Sequence, residues 1–392
     1  MKLADELILF LLLKKKRQKF IHSRNRKVFF KRLSTEARKR RRRCIPRDAL
    51  HMPEDSGWRK LYNSRNDQAL ITLTGLDHFA FDYLESKFRT YYDGYSPYGM
   101  DGCAKQKHQS NKGRKRLMNS KDCLGLILAW TRTRGSMMCL QIIFGLTQSI
   151  LSLYLQFGMN LLILVLQDLE EAKVKVPSTN KISELQSLVR NRHPVLTDVW
   201  CTMDGLKLYL QCPGTDDEQN NYYNGWQCDH FINSVLVFCP DGTIPICCYN
   251  VPGTQHDSTI AHIGGIYDKL HSVYEETGAK CTVDSAFSKL NRPYLIKSGK
   301  KNLNLSREDQ RILAAATSMR QSAEWGMKAF QSSFPRIKDR IPWEYKGKRK
   351  LVLKMLILLY NFRTRLVGIN QIRNVYKTNL EIDANMMFVH GR

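Results

Sequence analysis

The stretch VWCTMDGLKLYL, residues 199–210, decides the fold class. Its apolar residues recur at period two, the spacing of a strand and not of a helix. Strict alternation puts Val199, Cys201 and Met203 on one face and Trp200, Thr202 and Asp204 on the other. An acid inside such a strand is costly to bury unless something positive meets it. Gly205, the next residue, lets a ligand or another backbone approach closely.

Reading downstream, FINSVLVFC (231–239) and TIPICCY (243–249) are two further strands joined by the turn PDG at 240–242, a hairpin. Residues 252–270 (PGTQHDSTIAHIGGIYDKL) read as a loop feeding a helix, with Asp257 placed to accept amide hydrogens at the helix start. AKCTV (279–283) is a fourth strand, and Asp284 stands at its carboxyl end. A helix spans 312–330, where Ala323, Met327, Phe330 and Phe334 share one apolar stripe with Glu324 at its flank. Arg320 and Lys328 lie one turn to either side of Glu324, where they could pair with it or steer phosphates toward it. A strongly apolar helix follows over 351–367 and covers the sheet. Strand, strand, strand, helix, strand, then helices describes an α/β fold with a mixed sheet, whose ligand sites favour the carboxyl ends of strands.

Upstream, the chain divides into a basic leader (1–47), a mixed linker region with a helix over Leu70–Phe88 (48–117), and a helical region (118–193). In the last, Asn119 or Ser120 caps a helix carrying Cys123, Leu126, Ile127 and Trp130. Met137–Phe144 forms a second, and Thr147 caps a third that turns Ile150, Leu151, Tyr154 and Leu155 inward. Short helices parted by glycine fit a DNA-binding helix-turn-helix or plain packing of a small helical domain. The domain with the acids covers 194–375, and 376–392 form a tail.

Three carboxylates, Asp204, Asp284 and Glu324, can hold two divalent ions about 4 Å apart, the arrangement that serves phosphodiester chemistry. Hard oxygen ligands suit Mg²⁺ or Mn²⁺. Charge points the same way: 62 Lys and Arg against 36 Asp and Glu leave a formal net charge of +26. Residues 14–47 hold 17 of those cations and one acid, Glu36, so +16 of the total sits in that stretch. Its densest run is Arg38, Lys39, Arg40, Arg41, Arg42 and Arg43, a nuclear address, a nucleic-acid arm or a solvated tail. The partner class this charge favours is a polyanion, nucleic acid first and an acidic membrane surface second.

The 11 cysteines include no CxxC pair and read as buried free thiols. A zinc site from Cys228, His230, His256 and His262 has no standard spacing, and His256 reads as a loop residue beside Asp257. The apolar runs Leu7–Leu13 and Leu161–Leu166 are too short to span a bilayer, so no membrane partner is expected.

Several strings in one order carry a resemblance: TMDG (202–205), YYNGW (222–226), PGTQHDS (252–258), VDSAF (283–287), RQSAEWGMKAFQSSFPRIKDRI (320–341) and YNFRTRLVG (360–368). The segment from Trp200 to Val375 resembles the catalytic domain of PIF/Harbinger-type DDE transposases and transposase-derived endonucleases. WTRTRGS and FGLTQSILSLYL, between Trp130 and Leu155, are similar to the helical part that precedes such cores. The resemblance implies a ribonuclease-H-like core behind a small helical domain. It also implies two Mg²⁺ or Mn²⁺ ions on Asp204, Asp284 and Glu324, with Asp257 and His256 supporting. Cleavage and strand transfer at phosphodiester bonds and a Myb-like DNA-binding partner follow from the same likeness, whereas a homo-oligomer is left open by the apolar helix over 351–367, which could make a dimer contact in place of covering the sheet. The chain departs from the family pattern around Asp284: Val283 stands where glycine is usual, and Ala286-Phe287 replace a glycine-tyrosine pair. Two functions therefore stand side by side, an active metal-dependent nuclease and a catalytically silent DNA-binding descendant.

Overall fold

The computed structural model describes residues 45–98, 104–105, 116–134, 136–214, 216–299, 306–342 and 346–377. The runs Leu7–Leu13 and Arg38–Arg43, and the tail after 377, lie outside them. The chain divides into two units, 1–50 and 51–392. In the first, the described residues hold one 3-10 turn, Arg47–Ala49. Everything below concerns the second.

Helices Gly57–Asn63 (α1), Asp67–Thr74 (α2) and His78–Gly94 (α3) open it. The single helix expected over Leu70–Phe88 is two. Gly75, at φ 87, closes α2 in the left-handed conformation, and the Asp77 carboxylate accepts the Ala80 amide at 2.8 Å to start α3. A two-strand ribbon, Tyr95–Ser96 (β1) and Ala104–Lys105 (β2), follows. Next come Ser120–Arg132 (α4), Met138–Phe144 (α5) and Gln148–Asp168 (α6). Asn119 caps α4 by accepting the Asp122 amide at 2.7 Å. Thr147 occupies the cap position of α6, but its hydroxyl makes no capping bond.

Among the described residues α6 is the one helix long and apolar enough to cross a membrane, a length the six-residue run Leu161–Leu166 understates. Leu151, Tyr154, Phe157, Leu161, Leu162 and Leu166 are all buried in the main core, so α6 is packed as a core helix. Thr179–Arg192 (α7) then leads into the sheet.

The sheet strands are Val199–Tyr209 (β3), Tyr223–Asn224 (β4), Asp229–Phe238 (β5), Ile246–Pro252 (β6), Lys280–Val283 (β7) and Leu295–Lys297 (β8). A short helix, Asp216–Tyr222 (α8), links β3 to β4, while Asp257–Ile263 (α9) and Ile266–Thr277 (α10) cross from β6 to β7. β3 is central: antiparallel to β5 on one side, parallel to β7 on the other, with β8 parallel beyond β7. β4 and β6 both pair antiparallel with the outer edge of β5. The sheet is therefore mixed. β4 and β8, two and three residues long, were too short to show a period in the sequence.

One detail of β3 differs from strict alternation. The register with β7 slips between Val199 and Cys201. Val199 joins the core beneath the helical region, while Trp200, Cys201 and Met203 all join the core on the other face. A bulge inserts one residue and flips everything upstream of it. Downstream the expected alternation holds, with Leu206 and Leu208 on the first face.

Arg307–Ser333 (α11), Lys346–Leu366 (α12) and Gln371–Tyr376 (α13) complete the fold. The buried stripe of α11 runs through Ala316, Met319, Ala323 and Phe330. Met327, expected on that stripe, is half-buried; Gly326 takes its place, because a methyl group there would meet the Phe238 ring at 2.7 Å. α12 lies over the sheet as expected, and the string YNFRTRL shows how. Asn361, fully buried, donates to Ile244 O (2.9 Å) and Lys173 O (3.1 Å) and accepts Ile244 N at 2.8 Å. Arg363 donates to Gly75 O (2.9 Å) and Ser333 Oγ (2.8 Å), and Arg365 to Glu171 O (2.6 Å). One turn and a half of α12 thus ties the sheet, α11 and the helical region together.

Candidate active site

Asp204 lies near the middle of β3, paired with Leu236 of β5, and one residue past the Met203–Val283 pair with β7. Its neighbour in space is therefore the residue just after β7, Asp284. Each aspartate folds back on its own chain: Gly205 N donates to Asp204 Oδ1 at 2.7 Å, and Ser285 N to Asp284 Oδ1 at 2.6 Å. Parallel pairing of β3 and β7 thus brings together two acids that are distant in sequence.

Glu324 reaches the site from α11 through a cation. Arg320, one helical turn earlier, donates to Glu324 Oε1 at 3.0 Å, and its other terminal nitrogen lies 3.6 Å from Asp204 Oδ2. The two acids stand one guanidinium apart. The Asp204 side chain is 15% exposed and that of Glu324 43%. Lys328, exposed one turn beyond Glu324, makes no contribution to this bridge.

A fourth acid is close. His256, not Asp257, takes the cap position of α9, and the Asp257 carboxylate instead lies against Gly205. A methyl group at Gly205 would sit 2.4 Å from Asp257 Oδ2, which explains glycine there. Asp257 is thus on the opposite face of β3 from Arg320, half-buried against Gly205. The next residue, Ser258, accepts the Ser288 amide at 3.3 Å through its hydroxyl, tying α9 to the loop after Asp284.

The charges feel one another. Burial pushes Asp204 up to about 6; the charges of Asp284 and Asp257 push the same way, against the Gly205 amide and Arg320. Burial also raises Asp257, with Asp284 adding to the shift and Lys207 and His256 opposing it. Lys207 lies two residues beyond Gly205 on the Asp257 face of β3. Lys297, paired with Val283, donates to Ser285 O at 3.1 Å beside Asp284. Neither lysine stood out in the sequence. Period two from Gly205 would have found Lys207, whereas Lys297 sits on a strand too short to recognise.

The donor set is all carboxylate oxygen, which fits Mg²⁺ or Mn²⁺ chemically. In the arrangement seen, however, no three His, Cys, Asp or Glu side chains among the described residues are grouped so as to hold a metal ion. The Arg320 guanidinium instead lies between Asp204 and Glu324. The same finding removes the zinc reading: Cys228 points its thiol to Gly225 O at 3.4 Å, and His230 packs on Tyr223. The nine described cysteines are all free thiols, but only Cys123, Cys201, Cys239 and Cys281 are buried as expected; Cys139, Cys212 and Cys228 are exposed, and Cys247 and Cys248 are half-buried.

The close fit at Gly205 makes a prediction. Gly205→Ala is expected to destabilise the fold by about 2 kcal/mol through overpacking. Combining it with Asp257→Ala should recover most of that loss, because the clash is with that side chain. Urea unfolding of the two single variants and the double variant measures the coupling; strictly additive losses would show that the contact does not set the cost.

No curated protein and no solved structure matches the chain. The residues that carry the site, 203–361, match the family model described as DDE superfamily endonuclease, so this segment is similar to the nuclease domain of DDE transposases.

Proposed function

We propose that this protein is a Harbinger-type DDE enzyme: a nuclear, divalent-metal-dependent endonuclease and strand-transfer protein acting on double-stranded DNA, with a ribonuclease-H-like core. The observation that carries the reading is the bridge from Asp204 through Arg320 to Glu324, beside Asp284. It links two of the three acids, and Asp284 follows the strand β7 that pairs with β3, in a sheet whose strands β6-β5-β3-β7-β8 have the first three antiparallel and the rest parallel to β3. That order supports the ribonuclease-H-like assignment.

Asp204, Asp284 and Glu324 would hold the metal. When bound, a pair of Mg²⁺ or Mn²⁺ ions would supply activation of the attacking oxygen and stabilisation of the leaving oxygen. The chain's own part is to present carboxylates from β3, the residue after β7 and α11, and to line the approach with Lys297 and Arg320, which oppose the phosphate charge. The +16 stretch at 14–47 supports nuclear entry and contact with the DNA backbone. A Myb-like partner and self-association belong to the proposal on family likeness alone.

The test is cleavage of an end-labelled duplex by the purified full-length protein in Mn²⁺. Cleavage that needs both Mn²⁺ and Asp204 supports the proposal. Tight DNA binding without cleavage beyond that of Asp204→Ala would favour the silent DNA-binding reading, which the altered surroundings of Asp284 motivate.

A pH dependence follows. Asp204 must be ionised to ligate a cation, and burial raises it to about 6. At subsaturating Mn²⁺, cleavage is expected to fall about tenfold per pH unit below 6 and to level off above 7. A flat profile between pH 5 and 7 would contradict Asp204 as a ligand.

A further inference from the structure

We infer that Arg320 is a resident counter-ion that competes with the metal for the site, so that its side chain sets the metal affinity. This rests on the metal-dependent reading above. The guanidinium occupies the space between Asp204 and Glu324, at 3.6 Å from one carboxylate and 3.0 Å from the other. Its planar fork reaches both acids at once, at hydrogen-bond distance to Glu324 and as an ion pair with Asp204, where lysine would reach one. A divalent ion bound to the same oxygens would bring two or more like charges against the guanidinium at contact distance. The side chain therefore has to leave before Glu324 can close on an ion.

Two facts separate this role from a merely structural one. The helix does not need Arg320 to dock: Ala316, Met319, Ala323 and Phe330 are all buried on the core side of α11. Glu324, moreover, is 43% exposed, with Arg320 as its ion-pair partner. Once released it can turn about its side-chain bonds with the helix backbone in place. In the metal-free protein the bridge neutralises two acids that would otherwise repel, keeping the site assembled.

The experiment is Mn²⁺ binding to the full-length protein without DNA, at pH 8, read by the electron paramagnetic resonance of free Mn²⁺. Arg320→Gln is expected to bind Mn²⁺ about tenfold more tightly than the wild type. Arg320→Lys, which keeps the charge but not the fork, should fall between them. Binding should disappear in Asp204→Asn. Should the glutamine variant misfold, the wild type answers directly: Mg²⁺ should shift the Arg320 Nε–H resonance and speed its exchange with solvent. Unchanged or weaker Mn²⁺ binding in both variants, or an Arg320 resonance indifferent to Mg²⁺, overturns the inference while leaving the metal site intact. Absence of Asp204-dependent Mn²⁺ binding in every chain overturns both this inference and the nuclease reading.

Discussion

Asp204→Asn is expected to reduce Mn²⁺-dependent cleavage at least 1000-fold, a loss of about 4 kcal/mol of transition-state stabilisation. The same change is expected to make the metal-free fold more stable. Burial holds Asp204 at about 6 instead of its ordinary 3.8. The acid is therefore easier to keep protonated in the folded chain than in the unfolded one. Its stabilising contribution is complete below pH 4 and is lost as pH rises through about 6. Above pH 7 the ionised group costs the fold about 3 kcal/mol, taken from the two-unit shift. Asparagine keeps an oxygen for the Gly205 amide but carries no charge, so it escapes that cost. Urea unfolding at pH 8 without metal should show the variant more stable by about that amount, and the two chains should converge at pH 4. A less stable variant at pH 8 would mean that the Arg320 contact outweighs burial. Lost activity with gained stability is the mark of a group placed for chemistry and not for folding.

Asn361→Ala should be the most damaging single change to the fold away from the acids. The fully buried carboxamide donates to Lys173 O and Ile244 O and accepts Ile244 N, all at 3.1 Å or less. Alanine leaves an amide and two carbonyls without these partners, and each buried polar group left unsatisfied costs about 1–3 kcal/mol. A loss of about 3 kcal/mol is expected, seen as a lower urea midpoint with an unchanged slope. Asn361→Asp should do no better, since it keeps the acceptor, loses both donors and buries a charge. Because Asn361 ties α12 to the entry of β6, the variant should also loosen the sheet edge, with faster amide exchange at Ile244 and Ile246. A loss below about 1 kcal/mol would show that water replaces the carboxamide.

The long elements were legible in the sequence because each carries a period of its own. β3, β5, β7 and α11 fall where alternation or helical spacing put them, within a few residues. What was not legible depends on contacts between elements. The bulge after Val199 is set by pairing with β7, and no window of the sequence contains both strands. The break at Gly75 shows only as one glycine inside a helical pattern, which a helix also tolerates at modest cost. At the site, the three acids could be named from their strings, but not the guanidinium that now separates two of them. Helical spacing does put Arg320 one turn from Glu324, yet only the fold brings Asp204 to its other side. Asp257 misled for a local reason. An aspartate at a helix start reads as a cap, whereas the open face of Gly205 draws its carboxylate under the strand.

The central claim is that Asp204, Asp284 and Glu324 close on metal once Arg320 yields. Anomalous scattering from crystals of the full-length protein grown in Mn²⁺ tests it most directly. The account predicts an anomalous peak with oxygens of all three carboxylates at about 2.1 Å and the Arg320 guanidinium turned away. Crystals saturated with Mn²⁺ that show no peak there, with Arg320 still between Asp204 and Glu324, would contradict it.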